Sequence, residues 1–273
     1  MPELPEVETI ARALREWGLA GARVEHARLR RRDVSNVSPE RFATRLEGRT
    51  VTEVCRRGKN LVVHFDGNVT VVMHLGMSGQ VLLAEPGTAP AAHTHMVMEF
   101  ANRDRELRFR DVRRFGFVRL YETGLGETPE CLLGLGPEPE QLSAEALREM
   151  LGVSGRVVKT LLMDQRKLAG IGNIYADEIL HRAGVRPTRR ASSLTGEEAG
   201  RLRRAMRAVL KEAIACGGSS VSDYVLPTGK LGYFQERHRV YQRTGEPCGA
   251  CGGTIEKIVL GGRSTHYCAG CQR

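Results

Sequence analysis

Four cysteines near the end of the chain have the spacing of a zinc-binding module. They form the pattern C-x2-C-x16-C-x2-C and are Cys248, Cys251, Cys268 and Cys271. Four thiolates complete a tetrahedral shell and leave no open position for catalysis, so we predict one structural Zn²⁺. The segment LGGRSTHY between the two cysteine pairs reads as a hairpin that places Arg263 near its tip. A hairpin held by the metal could direct this arginine at a phosphate.

The N-terminus carries a candidate nucleophile. Removal of Met1 would expose Pro2 as a secondary amine, and an α-amino pKa near ~8 leaves part of it neutral at pH 7. A neutral amine can attack an electrophilic carbon and form an iminium. Glu3 and Glu6 stand beside it in the sequence and could transfer protons. Taken alone, the same segment also fits a helix entry with acidic residues at its positive dipole end, and this alternative stays open.

Two short segments contain side chains that could fill a gap in a base stack. Met77 lies in HLGMSG, and Arg113 and Phe115 lie in DVRRFG. An enzyme that acts on a base in duplex DNA must extrude it, and apolar side chains or an arginine can take its place. The sequence pattern leaves core packing of Met77 and Phe115 open as an alternative.

A tight GlyIleGlyAsn turn at 170–173 joins two predicted helices. The free backbone N–H groups at the start of the second helix could bind a phosphate, and Asn173 could cap that helix or donate to DNA. Basic residues lie close by in the sequence, namely Lys159, Arg166 and Lys167. We therefore predict a phosphate contact at this turn.

The composition indicates a folded protein with a polyanionic partner. The chain has 273 residues, 41% of them hydrophobic, and a formal net charge of +9. This length allows two modest domains or one large one. Segment 151–215 has 13 Lys and Arg against 6 Asp and Glu, whereas segment 120–150 has 7 Glu against one Arg. Charge concentrated in this way favours a nucleic-acid binding face over a uniform solubilising surface.

The N-terminal sequence is acidic and has no basic region followed by an apolar run, which is unlike a secretory signal. No apolar stretch has the length of a membrane helix. We predict a cytoplasmic, nucleoid-associated protein without a membrane partner.

The hydrophobic periodicity predicts an N-terminal helix, then strands, then helices. The first helix covers 3–17, strands follow over 22–121 with a hairpin turn at 67–68, and 85–95 is a loop. Helices are predicted over 156–167, 173–184 and 195–215, and residues 217–233 resemble a mobile Gly- and Ser-rich loop. The fold class is therefore α+β.

Together these segments resemble the formamidopyrimidine-DNA glycosylase family. The matching segments are PELPEVET, RRGKNLVV, HLGMSG, DVRRFGF, LGPEP, LMDQRKLAGIGNIYADEIL, the GG…GKLGYF loop and the cysteine module. They occur in order along the whole chain. One departure is visible, because many relatives have Pro where Val112 stands, and we expect a slightly different loop there without loss of function.

The resemblance implies the domain organisation. An N-terminal catalytic domain of a helix plus a β-sandwich would cover 1–130, and a linker 131–153. A helix–two-turn–helix domain would cover 154–235, and the zinc finger 236–273. DNA would lie in a basic cleft between the two halves.

The resemblance also implies the activity and the roles of residues. Pro2 would attack C1′ of an oxidised purine nucleotide and form a Schiff base, with Glu3 as proton donor and Glu6 in support. Lys59 and Arg263 would serve β- and δ-elimination. The implied DNA contacts are Met77, His93, Arg113, Phe115 and Asn173, together with a basic residue for which Arg156 and Lys159 are candidates. The partner would be double-stranded DNA containing oxidised purines or abasic sites, bound by a monomer.

Three alternative functions remain compatible with the sequence. A sister glycosylase for oxidised pyrimidines shares the N-terminal proline, the helical domain and the zinc finger. The Met77, Arg113 and Phe115 set and the long 217–233 loop favour the purine enzyme over it. A catalytically silent DNA-binding protein would not need Pro2, Glu3 and Lys59 together. A zinc-containing RNA-binding protein would be expected to carry an aromatic-rich platform, which is absent here.

Overall fold

The computed structural model describes residues 1–123 and 127–273. Within these ranges it contains helices and strands in the order α1 Leu4–Glu16, β1 Arg23–Leu29, α2 Pro39–Leu46, β2 Val51–Arg57, β3 Asn60–Phe65, β4 Val69–His74, β5 Gly79–Ala84, β6 Thr94–Ala101, β7 Glu106–Asp111, β8 Phe117–Glu122, α3 Ala144–Gly152, α4 Val158–Leu162, α5 Asn173–Ala183, α6 Gly196–Ala215, β9 Ile255–Leu260 and β10 Arg263–Cys268. The predicted α+β class is confirmed.

Two four-stranded antiparallel sheets form the first half of the chain. Their strand orders are β1-β6-β7-β5 and β2-β3-β4-β8. Alternate residues of both sheets face a shared apolar core, including Leu61, Val71, Met96 and Phe109, which are all fully buried. The sheets therefore pack face to face as a sandwich.

Helix α1 packs its apolar stripe into the same core. Val7, Ile10 and Leu14 are fully buried, as the helical spacing predicted. The helix contacts β2 and β3. Its N-terminus, which carries the candidate nucleophile, is thus fixed to the sandwich by about two turns of buried side chains.

The hairpin turn predicted at 67–68 is confirmed between β3 and β4. Gly67 and Asn68 both adopt positive φ, at 66° and 59°. Helix α2, in contrast, was not predicted and interrupts the strand region. Its start has the expected chemistry, because the Ser38 side chain accepts a hydrogen bond from Arg41 N and Pro39 occupies the first turn.

The helical second half follows the prediction in part. Helix α5 begins at Asn173 and ends at Ala183, followed by Gly184 in the left-handed conformation, and α6 covers most of 195–215. The helix predicted over 156–167 is confined to α4, because the chain turns after Met163. The predicted linker contains α3, which has a Ser143 cap and buried Leu147 and Leu151.

The chain folds into two compact units. Residues 1–133 and 216–233 form the first unit, and residues 134–215 and 234–273 form the second. The loop 217–233 therefore packs with the sandwich, although it follows α6 in the chain. The predicted domain ranges stay a prediction. No helix in the described part of the chain has the length and apolarity to cross a membrane.

Candidate active site and metal centre

Pro2 and Glu3 are buried at the N-terminus of α1. Glu3 is the N-cap residue, and its side chain accepts a hydrogen bond from the backbone of Glu6. In return, Glu6 Oε2 accepts from Glu3 N at 2.8 Å. This reciprocal capping box fixes both carboxylates at the N-terminus of the helix, directly after Pro2 in the chain. Glu3 and Glu6 are 2% and 1% exposed, so neither serves as an ordinary solvated cap.

The loop 217–233 holds Glu6 from the other side. Glu6 Oε1 accepts a hydrogen bond from Ser219 N at 2.7 Å. The Tyr224 hydroxyl donates to the carbonyl oxygens of Gly217 and Glu6, at 3.0 and 3.3 Å. Burial raises the pKa of Tyr224, and the negative charge of Glu6 raises it further. The loop predicted as mobile thus has a defined attachment to the candidate active site.

Lys59 lies in the tight turn between β2 and β3 and is 7% exposed. Together with burial, its positive charge lowers the pKa of His74, a residue for which the sequence predicted no role. Burial lowers the pKa of His74 to about 4, with further lowering by the charges of Lys59 and Arg119. His74 Nδ1 accepts from Gly76 N at 3.0 Å, and the ring stacks on Phe117. The neutral ring therefore carries its proton on Nε2.

This histidine predicts a pH dependence of stability. The folded-state pKa of about 4 lies below the usual value of 6.5, so the unfolded chain binds the proton more tightly. The free energy of unfolding should therefore fall as pH drops from about 6.5 to about 4. We expect His74→Gln, which keeps an acceptor for Gly76 N, to remove about 2–3 kcal/mol of this pH dependence in urea titrations at pH 4.5–7.5. Parallel curves for the two proteins would contradict the assignment.

The three predicted gap-filling residues are available at the surface. Phe115 is 59% exposed, Arg113 is exposed and Met77 is half-buried. The Arg113 guanidinium lies over the Phe115 ring at 5.0 Å from the centroid. These exposures do not fit core packing of Phe115. His93, the predicted DNA contact, is also exposed and adopts a φ of 67°, a left-handed conformation.

The four cysteines of the predicted module come together. Their sulfur atoms all lie within 4.8 Å of one another, with Cys251–Cys268 at 3.4 Å and Cys248–Cys271 at 3.7 Å. A tetrahedral zinc ion with bonds of about 2.3 Å requires sulfur separations of roughly 3.8 Å. The thiolate set therefore fits one Zn²⁺ and no catalytic ligand position, as predicted.

Helix α5 attaches the cysteine module through buried polar side chains that were not predicted from the sequence. Asp177 accepts hydrogen bonds from His266 N and Nδ1 at 2.9 and 3.1 Å. The Glu178 carboxylate accepts from three consecutive backbone N–H groups at 239–241. His181 Nε2 lies 3.5 Å from Cys248 Sγ. The positions of Asp177, Glu178 and His181 on one predicted helix were visible in the sequence. Their hydrogen-bond partners lie more than 60 residues away in the chain, and no local pattern reveals them.

Arg263 and Asn173 are linked through the same hairpin. Arg263 is exposed and begins β10 directly after the Gly261–Gly262 turn. Asn173 begins α5, and its Nδ2 donates to the carbonyl oxygen of Ser264 at 2.9 Å. This hydrogen bond fixes the position of the Arg263 hairpin relative to the N-terminus of α5. Such an arrangement suits one phosphate contact from the arginine and another from the helix N-terminus.

The chain is similar to known proteins over its full length. Residues 1–118 match the family described as the formamidopyrimidine-DNA glycosylase N-terminal domain, 133–225 match its H2TH domain, and 245–273 match a zinc finger found in FPG and IleRS. A formamidopyrimidine-DNA glycosylase of Exiguobacterium is 45% identical, with all of both chains covered. The chain belongs to the formamidopyrimidine-DNA glycosylase family.

Solved structures of the family have the same fold. The MutM (FPG) protein of Thermus thermophilus is 44% identical and superposes with a TM-score of 0.87, covering 99% of this chain and 98% of that one. A Lactococcus lactis FPG mutant in complex with Fapy-dG-containing DNA is 34% identical, with a TM-score of 0.90 and full coverage of both chains. The family resemblance and the zinc finger are thus confirmed.

Within this family member, the two candidate basic residues near 154–159 differ in access. Lys159 is fully buried, and its Nζ lies 2.7 Å from Asp177 Oδ1. The same ammonium donates to Ser264 O at 2.9 Å and to Thr265 Oγ1 at 2.7 Å. The structure does not support Lys159 as a DNA contact, because its ammonium group is buried and already bonded to groups in the protein interior. Arg156 is exposed and pairs with Asp164 at 2.6 Å, so it is the available candidate.

Lys159 should therefore matter for stability. We expect Lys159→Met to lower the free energy of unfolding by about 3 kcal/mol, because it leaves Asp177 buried without its ammonium partner. Lys167→Met removes the same charge from an exposed site nearby and should change stability by less than about 0.5 kcal/mol. Urea unfolding of both variants checks this prediction. Equal stability of the two variants would contradict the structural role of Lys159.

Proposed function

We propose that this family member is a bifunctional DNA glycosylase and AP lyase that removes oxidised purines in base excision repair. Its substrates would be 8-oxoguanine and formamidopyrimidines in double-stranded DNA, and abasic sites. The observation that supports this proposal most directly is the burial of Pro2, just before α1, together with the capping box that fixes the Glu3 and Glu6 carboxylates. A nucleophile needs a fixed position and proton-transfer groups close by, and the burial of Pro2 and the capping box that follows it in the chain support both.

In the proposed first step, Pro2 without Met1 supplies the lone pair of its nitrogen to C1′ of the lesion nucleotide. The bond between C1′ and the purine nitrogen breaks, and the base leaves with the bonding electrons. Base release and opening of the sugar ring each consume one proton: the Pro2 nitrogen loses its own N–H proton and supplies one, and Glu3 donates the other. The sugar is then ring-opened, and an iminium joins Pro2 and C1′. Glu6 positions Glu3 and the Pro2 end of the helix.

In the proposed lyase steps, loss of a C2′ proton expels the 3′ phosphate by β-elimination, and δ-elimination then expels the 5′ phosphate. Lys59 would serve the first elimination and Arg263 the second. Asn173, Arg156 and His93 would bind the DNA backbone, while Met77, Arg113 and Phe115 would fill the gap left by the flipped nucleotide. The zinc ion would hold the hairpin that carries Arg263, with no part in the chemistry.

Excision assays on matched duplexes test the substrate class. We expect faster release of 8-oxoguanine opposite cytosine than of thymine glycol. The comparison is needed because a Lactococcus lactis FPG structure contains an oxidised pyrimidine in its DNA. Preferred release of thymine glycol would overturn the purine assignment, and DNA binding without any excision would support a silent binding protein.

We also propose that the protein acts as a monomer in the cytoplasm, on nucleoid DNA. A lesion on one strand has no two-fold symmetry, so it does not require two equivalent subunits. The net charge of +9 supports association with DNA.

A further inference from the structure

We propose that Asp111 is a positioning residue that holds two loops, HLGMSG and DVRRFG, in one fixed arrangement. These loops carry the proposed gap-filling residues Met77, Arg113 and Phe115, so this inference rests on the proposed function. Asp111 is the last residue of β7 and is fully buried. A fully buried carboxylate is costly unless hydrogen bonds satisfy it. The groups that donate hydrogen bonds to the Asp111 carboxylate show which segments it connects.

The carboxylate binds both ends of the DVRRFG loop. Asp111 Oδ1 accepts from Arg113 N at 3.2 Å, and Oδ2 accepts from Gly116 N at 2.8 Å. Arg113 and Phe115 lie between or at these attachment points. The loop includes Arg114 with a φ of 57°, a conformation that costs a non-glycine residue energy and requires support from its surroundings. Asp111 supplies part of that support.

The same carboxylate reaches the HLGMSG loop. Ser78 Oγ donates to Asp111 Oδ1 at 2.6 Å and accepts from Arg113 N at 3.1 Å. Ser78 is 5% exposed and directly follows Met77. The two loops also touch through their backbones, since a Cβ on Gly76 would lie 2.5 Å from Gly116 N. Met77 is therefore fixed in relation to Arg113 and Phe115.

The backbone of Asp111 connects a third segment. Asp111 N donates to the carbonyl oxygen of His93 at 3.0 Å, and His95 Nε2 lies 2.8 Å from Asp111 O. All four DNA contacts proposed in the first unit thus lie in, or next to, segments bonded to one residue. We infer that Asp111 makes them act together when a base is extruded, because gap filling needs correct geometry of all three side chains at once.

Asp111→Asn tests this coupling, because an amide can no longer accept from donors on both sides. We expect 8-oxoguanine excision (kcat/KM) to fall on the order of 10–100-fold. Cleavage of a preformed abasic site should change less than about threefold, since no base has to be extruded. A 2-aminopurine placed opposite the lesion should lose the fluorescence rise that reports insertion of the loops. Asp66→Asn removes the same charge from the exposed β3–β4 turn and should behave like the wild type.

A second variant covers the case in which Asp111→Asn does not fold. Ser78→Ala removes the two hydrogen bonds of the Ser78 hydroxyl, to Asp111 Oδ1 and from Arg113 N, and leaves the Asp111 contacts to Arg113 N and Gly116 N. It should reduce the fluorescence rise and 8-oxoguanine excision while thermal stability and zinc content stay close to wild type. The coupling role would be overturned if base excision and abasic-site cleavage fell equally. It would also be overturned if a variant kept full excision and an unchanged fluorescence rise. Absence of activity in the wild type itself would instead contradict the proposed function.

Discussion

Protein that retains Met1 should release no 8-oxoguanine above background, a loss of about 10³-fold or more relative to the processed chain. With Met1 in place, the nitrogen of Pro2 is an amide and has no lone pair for attack on C1′. The amine of Met1 is displaced by one residue, about 3.8 Å. Met1 is 45% exposed whereas Pro2 is buried, so the two nitrogens have different surroundings. Intact mass spectrometry and excision assays before and after methionine aminopeptidase treatment measure the effect.

Pro2→Gly is the matched variant for this experiment. It keeps an N-terminal amine at the same position, but a primary one, and we expect slower excision with a detectable covalent adduct. The pair separates the need for a free amine from the need for the proline ring. Full activity in a preparation shown to be wholly unprocessed would contradict the prediction.

Cys268→Ala should remove zinc and weaken binding to lesion DNA by about tenfold or more. Cys268 is fully buried and ends β10, the strand that begins with Arg263. Three remaining thiolates hold zinc more weakly, and the hairpin then loses the clamp that fixes its arginine. Metal analysis and titration of a fluorescent duplex measure the two effects.

Cys131→Ala is the control for thiol chemistry, because this half-buried cysteine lies outside the metal cluster. It should keep both zinc and DNA affinity. Chelation of the wild-type protein should reproduce the Cys268→Ala result without any substitution. A zinc-free protein with unchanged DNA affinity would exclude a role of the metal in positioning Arg263.

Local chemistry made several elements predictable. The buried spacing of Val7, Ile10 and Leu14 predicted α1, and the two positive-φ residues of the β3–β4 turn are a glycine and an asparagine. The zinc site was predictable because its four ligands occur as two close pairs. Helix α2 could also have been found, since Ser38, Pro39 and the spacing of Phe42 and Leu46 mark it.

Other features depend on partners far away in the chain. Lys159 lies in a basic segment and resembles a solvated cation, but Asp177 and the backbone of Ser264 pair with it in the interior. The loop 217–233 reads as flexible from its glycines and serines, whereas its Ser219 N–H binds Glu6, 213 residues earlier. No periodicity reports such pairings, because they arise only when the chain is folded.

The same limit applies to the three residues proposed to fill the gap left by a flipped nucleotide. Their sequence left core packing open for Phe115, and only its 59% exposure and the bonds of Asp111 to Arg113 N and Gly116 N removed that alternative. The residues with proposed chemical roles were therefore visible in the sequence. The residues that hold them in place, Asp111, Glu178 and Tyr224 among them, became visible only through their contacts.

The most direct test traps the covalent intermediate with borohydride on an 8-oxoguanine duplex and locates the bond by tandem mass spectrometry of the digested adduct. If the Pro2 nitrogen attacks C1′ and forms the iminium, the adduct should contain a single reduced linkage between deoxyribose and Pro2, in chains that have lost Met1. A linkage on Lys59 or another lysine, or continued base release and strand cleavage with no adduct on Pro2, would contradict it.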